Sequence, residues 1–189
     1  MNTDALYCPL DEFYKHTNTD LPQIKIVPSK NLPEPHRSLL VHKKDLTPTL
    51  ENFYKESIHV KVLDSICTGT ELLRKVILVL DGSLKPVAFG AIKIQLNFFD
   101  SATLDNILKE RLPLGTILGL HRMAHLSRPQ AFFQVVTDGL IQNYLGLSAT
   151  EKLYGRQNFL LTPNGDILAK IVEILSPKST REAALDYCE

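Results

Sequence analysis

Leu72-Leu73-Arg74-Lys75-Val76-Ile77-Leu78-Val79-Leu80 is the stretch on which the fold turns. The period-2 partners of Arg74 are Leu72, Val76, Leu78 and Leu80, so the segment reads as a strand with one charge on its apolar face. That charge is expected to point inward. A second lone charge stands near the C-terminus, where Ile167, Ala169, Ile171 and Leu175 share a face with Glu173, while Lys170 lies on the other. An unpaired buried charge is strongly unfavourable unless it shifts its pKa or meets a partner or ligand. From spacing alone, a buried Arg74–Glu173 ion pair or a locally solvated strand face also accounts for the pattern.

Working outward, Asp81-Gly82 ends the Arg74 strand and a return strand runs from Pro86 through Ala88, Ile92 and Ile94 toward Leu96. Before it, alternating Ile58, Val60 and Val62 begin a strand that runs toward Ile66. Three consecutive strands with short connections imply an antiparallel meander. Gln130 to Val136 is aromatic and β-branched, and Asn158 to Leu161 leads through the Asn164-Gly165 turn into the Glu173 strand, which Pro177 ends. Helical signals lie between. Thr47-Pro48 reads as N-cap and first helical residue of a helix starting just after Leu46, Ser101 to Leu108 has apolar residues three and four apart, and Pro113 opens a short helix over Leu114-Gly115-Thr116-Ile117-Leu118. The unpaired N–H groups of that last helix's first turn offer an anion seat. A further helical turn fits Ser38 to His42.

Four prolines between Leu21 and Pro35 suggest an extended wrapping arm, giving three parts: an extended N-terminal arm over 1–36, one domain over 37–177, and a polar tail over 178–189. With 189 residues, 44% hydrophobic and 22% charged, the chain suits one soluble domain. Lys plus Arg and Asp plus Glu both total 21, so no global field favours nucleic acid or an anionic membrane, and an anionic ligand must be held by local groups. The absence of a long apolar run or leader-like N-terminus points to a cytoplasmic protein, or a stromal one if plastid-encoded, with no membrane span. Cys8, Cys67 and Cys188 are odd in number and widely spaced, which reads as free thiols, with Cys67 a small buried apolar residue. His121 and His125 have the i, i+4 spacing of two metal ligands but no third partner, so no metal site is expected. Neither a glycine-rich phosphate loop nor a nucleophile elbow occurs.

Four local patterns, in order, resemble the chorismate pyruvate-lyase family, including its cyanobacterial and red-algal plastid branch, whose members share a fold with effector domains of certain bacterial transcription regulators. They are Asp45-Leu46-Thr47 with Leu50-Glu51; Leu73 to Leu78 with Asp81-Gly82 and the Pro86 to Gly90 strand; Pro113-Leu114-Gly115; and Tyr154-Gly155-Arg156 continuing through Gly165-Asp166-Ile167-Leu168 to Glu173-Ile174-Leu175-Ser176-Pro177. Their joint order across residues 38 to 177 carries the resemblance. It implies an α+β fold with a single antiparallel sheet of about six strands and helices on one face forming flaps over an enclosed ligand pocket. It also implies cofactor-free conversion of chorismate to 4-hydroxybenzoate and pyruvate, feeding quinone synthesis (plastoquinone or ubiquinone), in a monomer or weak oligomer. Arg74 and Glu173 match the family's catalytic and product-binding charges, and Leu46 and Leu114 its two backbone contacts, with Gly115, Arg122 and Arg156 as further substrate-binding candidates. The chain departs from the enterobacterial pattern at Leu46, where that branch has methionine, and at Thr116, where it has arginine. Arg122 or Arg156 is then the alternative cation for a second carboxylate. A non-catalytic aromatic-acid sensor of the same fold is the competing class. Residues 1 to 36 do not read as a helix-turn-helix, and no room is expected for a separate N-terminal DNA-binding domain.

Overall fold

The computed structural model describes residues 7–176, and at its centre is one antiparallel sheet of seven strands in the order β1-β5-β6-β7-β4-β3-β2. These are β1 (Ile24–Ile26), β2 (Ile58–Cys67), β3 (Glu71–Leu80), β4 (Pro86–Gln95), β5 (Leu126–Val136), β6 (Lys152–Leu161) and β7 (Ile167–Leu175). The expected meander is β2-β3-β4, and the Asn164-Gly165 hairpin joins β6 to β7, with Gly165 at φ +94 as such a turn requires. Among the described residues six α-helices cover the sheet: α1 (Leu10–His16), α2 (His36–Leu40), α3 (Leu46–Tyr54), α4 (Ser101–Leu108), α5 (Leu114–Leu120) and α6 (Gly139–Leu145).

Period-2 alternation divides the sheet into two faces with different work. Leu73, Ile77, Phe89, Phe133 and Ile174 point to one face, where Phe13 of α1 and Ile141 and Leu145 of α6 close over them. Each such fully buried side chain contributes about 1.5–3 kcal/mol, so this face is the structural core. The other face carries Arg74, and its helical cover is split. Leu72, Ile94 and Leu160 pack against Ile107 of α4 and Ile117 and Leu118 of α5. Leu80 and Leu175 pack instead with Leu40 of α2 and Leu50 of α3. The interval between these two apolar clusters lies over the strand rows that contain Arg74 and Glu173.

Several boundaries differ from the sequence reading. The sheet has a seventh strand because Ile24–Ile26, inside the proline-rich arm, pairs with Phe133 to Val135 of β5. The arm is extended only in part, since Leu10–His16 is helical and buries Leu10, Phe13 and Tyr14 against the reverse face. Helix α3 begins at Leu46 with Asp45, not Thr47, as its N-cap, while α5 starts at Leu114 behind Pro113 as expected and runs on to Leu120. Helix α6 was not expected; the side chain of its N-cap Asp138 accepts from the Ile141 N–H at 2.9 Å, and Gly146 ends it at φ +64. Cys67 is exposed at the end of edge strand β2 rather than buried, and both Cys8 and Cys67 are free thiols. Cys188 and the C-terminal tail lie outside the described residues. Among those residues no helix is long and apolar enough to cross a membrane.

Gly155 on β6 shows how tightly the two faces are joined. A Cβ there would sit inside contact distance of the Glu173 carbonyl oxygen and 2.7 Å from the Phe133 ring. The carbonyl belongs to the neighbouring strand and has nowhere to go. Gly155→Ala is therefore expected to lower stability by about 1–3 kcal/mol, the range for overpacked cores, as read from the midpoint of urea unfolding.

Candidate functional site

Strand register builds the site row by row. Arg74 of β3 stands opposite Ile92 of β4, which stands opposite Ile171 of β7, which stands opposite Asn158 of β6. Two residues along, on the same face, the row is Val76, Gly90, Glu173 and Arg156. Gly90 leaves a bare patch between Val76 and Glu173, and it lines the cavity together with Arg74 and Glu173. The cavity is partly open, and about 680 Å³ of empty space lies within and in front of it. Its floor is apolar sheet, and its roof is the start of α3 and of α5, whose opening residues Leu46 and Leu114 both line it. First-turn N–H groups of a helix have no partner within the helix, and both helices begin at this space.

Arg74 is 2% exposed. Among the described residues its Nε and Nη1 have no hydrogen-bond partner. Burial draws its pKa down from the ordinary guanidinium value while the charge of Glu110 pushes back, yet an arginine this basic stays protonated. The Arg74–Glu173 ion pair, one of the alternatives that spacing leaves open, is not formed. Glu173 is taken by Arg156, whose Nε donates to its Oε2 at 2.5 Å. Arg156 is itself fully buried, and its Nη1 donates to the carbonyls of Leu40 at 3.0 Å and His42 at 3.3 Å, while Nη2 donates to that of Lys44 at 3.3 Å. One guanidinium thus anchors the α2–α3 connection and fixes Glu173 with a carboxylate facing the cavity.

Further polar groups reach the cavity that the sequence did not single out. The Asp45 carboxylate does not cap α3; its Oδ2 binds His125 Nε2 at 2.9 Å, and its buried Oδ1 has no partner among the described residues. Asp45 also lies against Gly115, where a Cβ would meet Oδ2 at 2.8 Å. The Asp45–His125 contact therefore clasps the start of α3 to the segment that follows α5. The hydrogen bond to Asp45 raises the His125 pKa above its ordinary value, against a lowering by burial. Asn158, the last of these, is buried and also lines the cavity.

The remaining sequence candidates divide cleanly. Gly115 lines the cavity. Arg122 is exposed, at φ 52 just past α5, and Thr116 is exposed as well; neither lines the cavity. Arg156 reaches Glu173 rather than the cavity, so Arg74 is the one cationic side chain among the described lining residues. His121 and His125 do not share a helical turn. His121 Nε2 contacts Asn106 at 2.9 Å, while His125 holds Asp45. Cys8, Asp11 and Glu12 bring possible ligand atoms within 4.8 Å of one another away from this cavity. There the Cys8 thiol is pushed up to about 12 by burial and by its bond to Glu12, and Lys93 Nζ already occupies Glu12 at 3.1 Å.

No family model matches the sequence, and no curated protein matches it. Solved structures do share its fold. The effector domain of PhnF from Mycobacterium smegmatis superposes with a TM-score of 0.54 over 71% of this chain and 89% of that domain, at 10% identity. The longer PhnF structure gives 0.55 over 74% of this chain and 66% of that one, also at 10% identity. A transcriptional-regulator candidate from Streptomyces coelicolor gives 0.51 at 13% identity, covering 66% of this chain and 89% of its own. The chain therefore shares the α+β fold of these structures, with a single antiparallel sheet as the resemblance implied, but its helices lie on both faces and not one: α2 to α5 over the Arg74 face, and α1 and α6, which close the core, over the reverse.

Two outcomes follow from this geometry. Arg156→Met leaves Glu173 without its counter-ion and removes a donor from three backbone carbonyls, so it is expected to cost about 3–5 kcal/mol in urea unfolding, as for other broken buried pairs. The clasp is pH-dependent: because the His125 pKa is raised on folding, its contribution is complete below the unfolded value of about 6.5 and is lost as pH rises through the folded value. His36 and His42, which burial lowers, titrate with the opposite sign. The stability difference between wild type and His125→Ala, measured by thermal unfolding across this range, should accordingly shrink as pH rises.

Proposed function

We propose that this cavity binds a hydroxylated aromatic carboxylate and that the chain acts as a chorismate pyruvate-lyase, releasing 4-hydroxybenzoate and pyruvate. The observation that carries the reading is the buried guanidinium of Arg74, whose Nε and Nη1 have no partner among the described residues, on the wall of an apolar cavity that Glu173 also lines. A planar guanidinium gives a carboxylate two parallel hydrogen bonds through Nη2 together with Nε or with Nη1, and the apolar floor of Ile92 and Ile171 suits a ring laid flat on the sheet. The ring carboxylate goes to Arg74. The ring hydroxyl goes to Glu173, which Arg156 keeps in position.

The chemistry needs little beyond this arrangement. The ring C4–H bond breaks, its hydrogen passes to the methylene carbon of the enolpyruvyl group, the ether C3–O bond breaks, and the ring becomes aromatic. No electrons are exchanged with a cofactor. Holding the ether folded over the ring in a water-poor cavity brings the two carbons together, and aromatisation supplies the driving force. The enolpyruvyl carboxylate finds no second cationic side chain among the described lining residues, so the N–H groups that open α3 and α5 at Leu46 and Leu114 are the donors left to it. Those helices act as flaps, and their opening governs product release.

A second reading is favoured by specific observations. The structural relatives include a regulator's effector domain, and a cavity with one cationic side chain suits a monoanion such as 4-hydroxybenzoate better than a dianion. On that reading the chain senses the aromatic acid and does no chemistry. Incubating the protein with chorismate alone, and quantifying 4-hydroxybenzoate and pyruvate, separates the two. The lyase gives equimolar products, with Arg74→Ala reducing turnover by about 10²–10³-fold, the loss typical of one preorganised donor. Turnover retained in Glu173→Gln would assign that residue to positioning rather than proton transfer. A folded wild type that yields no product, but whose melting temperature rises with 4-hydroxybenzoate, is the sensor.

A further inference from the structure

Asn158 is 1% exposed, and its amide has a fixed orientation. The single proton of the Ser127 hydroxyl is donated to the Lys44 carbonyl at 3.2 Å. Ser127 Oγ can therefore only accept from Asn158, which donates through Nδ2 at 2.9 Å. The amide oxygen is consequently turned away from Ser127, and Oδ1 has no partner among the described residues. Asn158 lines the same cavity as Arg74, three strands away in the same row across Ile92 and Ile171. At about 4.8 Å per strand, the two backbones are roughly 14 Å apart, so the cavity lining has a guanidinium toward one end and an amide with a buried, unpartnered oxygen toward the other.

The balance of polar groups gives this a chemical meaning. Glu173 is one acceptor facing the cavity, Asn158 Oδ1 is a second, and the buried Asp45 Oδ1 is a third. Arg74 satisfies only a ligand's acidic end. A single ring hydroxyl has one hydrogen and can serve one of these acceptors, leaving Asn158 unmet. An unmet buried acceptor is penalised, and a ligand that supplies the missing hydrogen removes the penalty.

We infer that Asn158 is a specificity-determining residue whose Oδ1 accepts a second ligand hydrogen, so that the cavity favours aromatic carboxylates with two hydrogen-bond donors opposite the carboxylate. An aromatic amine, with two N–H bonds, or a pair of adjacent hydroxyls has this chemistry. The inference rests on the reading of the cavity as an aromatic-carboxylate site. It does not depend on whether the chain is a lyase or a sensor.

The test is calorimetric titration of the full chain with 4-hydroxybenzoate, 4-aminobenzoate, 3,4-dihydroxybenzoate and 4-methoxybenzoate, in wild type, Asn158→Leu and Ser127→Ala. Wild type is expected to bind at least one two-donor ligand about tenfold more tightly than 4-hydroxybenzoate, and 4-methoxybenzoate least tightly. Asn158→Leu should erase the two-donor preference while leaving 4-hydroxybenzoate within about threefold. Ser127→Ala, which frees the amide to turn, should reduce the preference without abolishing binding. Equal binding of one-donor and two-donor ligands by wild type overturns the inference, as does a preference that survives in folded Asn158→Leu. Failure of every benzoate to bind wild type would overturn the site reading itself and this inference with it.

Discussion

The pairing of Arg156 with Glu173 is the interaction on which the site depends. By engaging Glu173 from β6, Arg156 removes it as a counter-ion for Arg74, although both charges lie on one face of the sheet. The same guanidinium ties down the carbonyls of Leu40, His42 and Lys44, and so fixes where α3 begins. An arginine with five donors in a rigid fork can do both at once, which a lysine cannot. The result is a site whose acid is held in place and whose base-facing cation is left open.

Arg74 then stands as a deliberate local instability. Its neighbours Leu72, Val76 and Leu78 supply packing but no acceptor, and burial opposes the charge it retains. The fold tolerates this because the reverse face, with Phe89, Phe133 and the helices α1 and α6, carries a large apolar core, whose buried Lys75 lies over the Phe13 ring. Stability is concentrated on one side of the sheet and binding on the other. Gly90 and Gly155 mark the division: the first leaves room over the cavity floor, while the second lets Phe133 press close beneath the Glu173 backbone.

Much of this was legible in the sequence wherever the signal was local. Alternation around Arg74 and Glu173, the Asp81-Gly82 and Asn164-Gly165 turns, and the helical spacing of Ser101 to Leu108 all correspond to observed elements. Short elements inside irregular stretches were not legible. β1 is three residues long amid prolines, and its pairing with β5 depends on a tertiary contact. α6 begins at a glycine, although Asp138 and Gly146 were its available signals. Who pairs with whom was also hidden, because Arg156 meets Glu173 only through the register of β6 on β7. The run Arg156-Gln157-Asn158 did hold a clue: three consecutive polar residues inside a strand, all buried, require an organised network. Asp45 stands out in the sequence only as part of the Asp45-Leu46-Thr47 pattern, and its carboxylate contact with His125 depends on the tertiary fold.

The central claim is that Arg74 is kept buried for a ligand and not for the fold. Urea unfolding of wild type and Arg74→Met, each with and without 4-hydroxybenzoate, tests it most directly. The account predicts that Arg74→Met stabilises the unliganded protein, by about 1–4 kcal/mol as when buried charges give way to apolar side chains of similar size, and abolishes the ligand's stabilising effect. A variant that is less stable without ligand, or that is still stabilised by 4-hydroxybenzoate as wild type is, would contradict it.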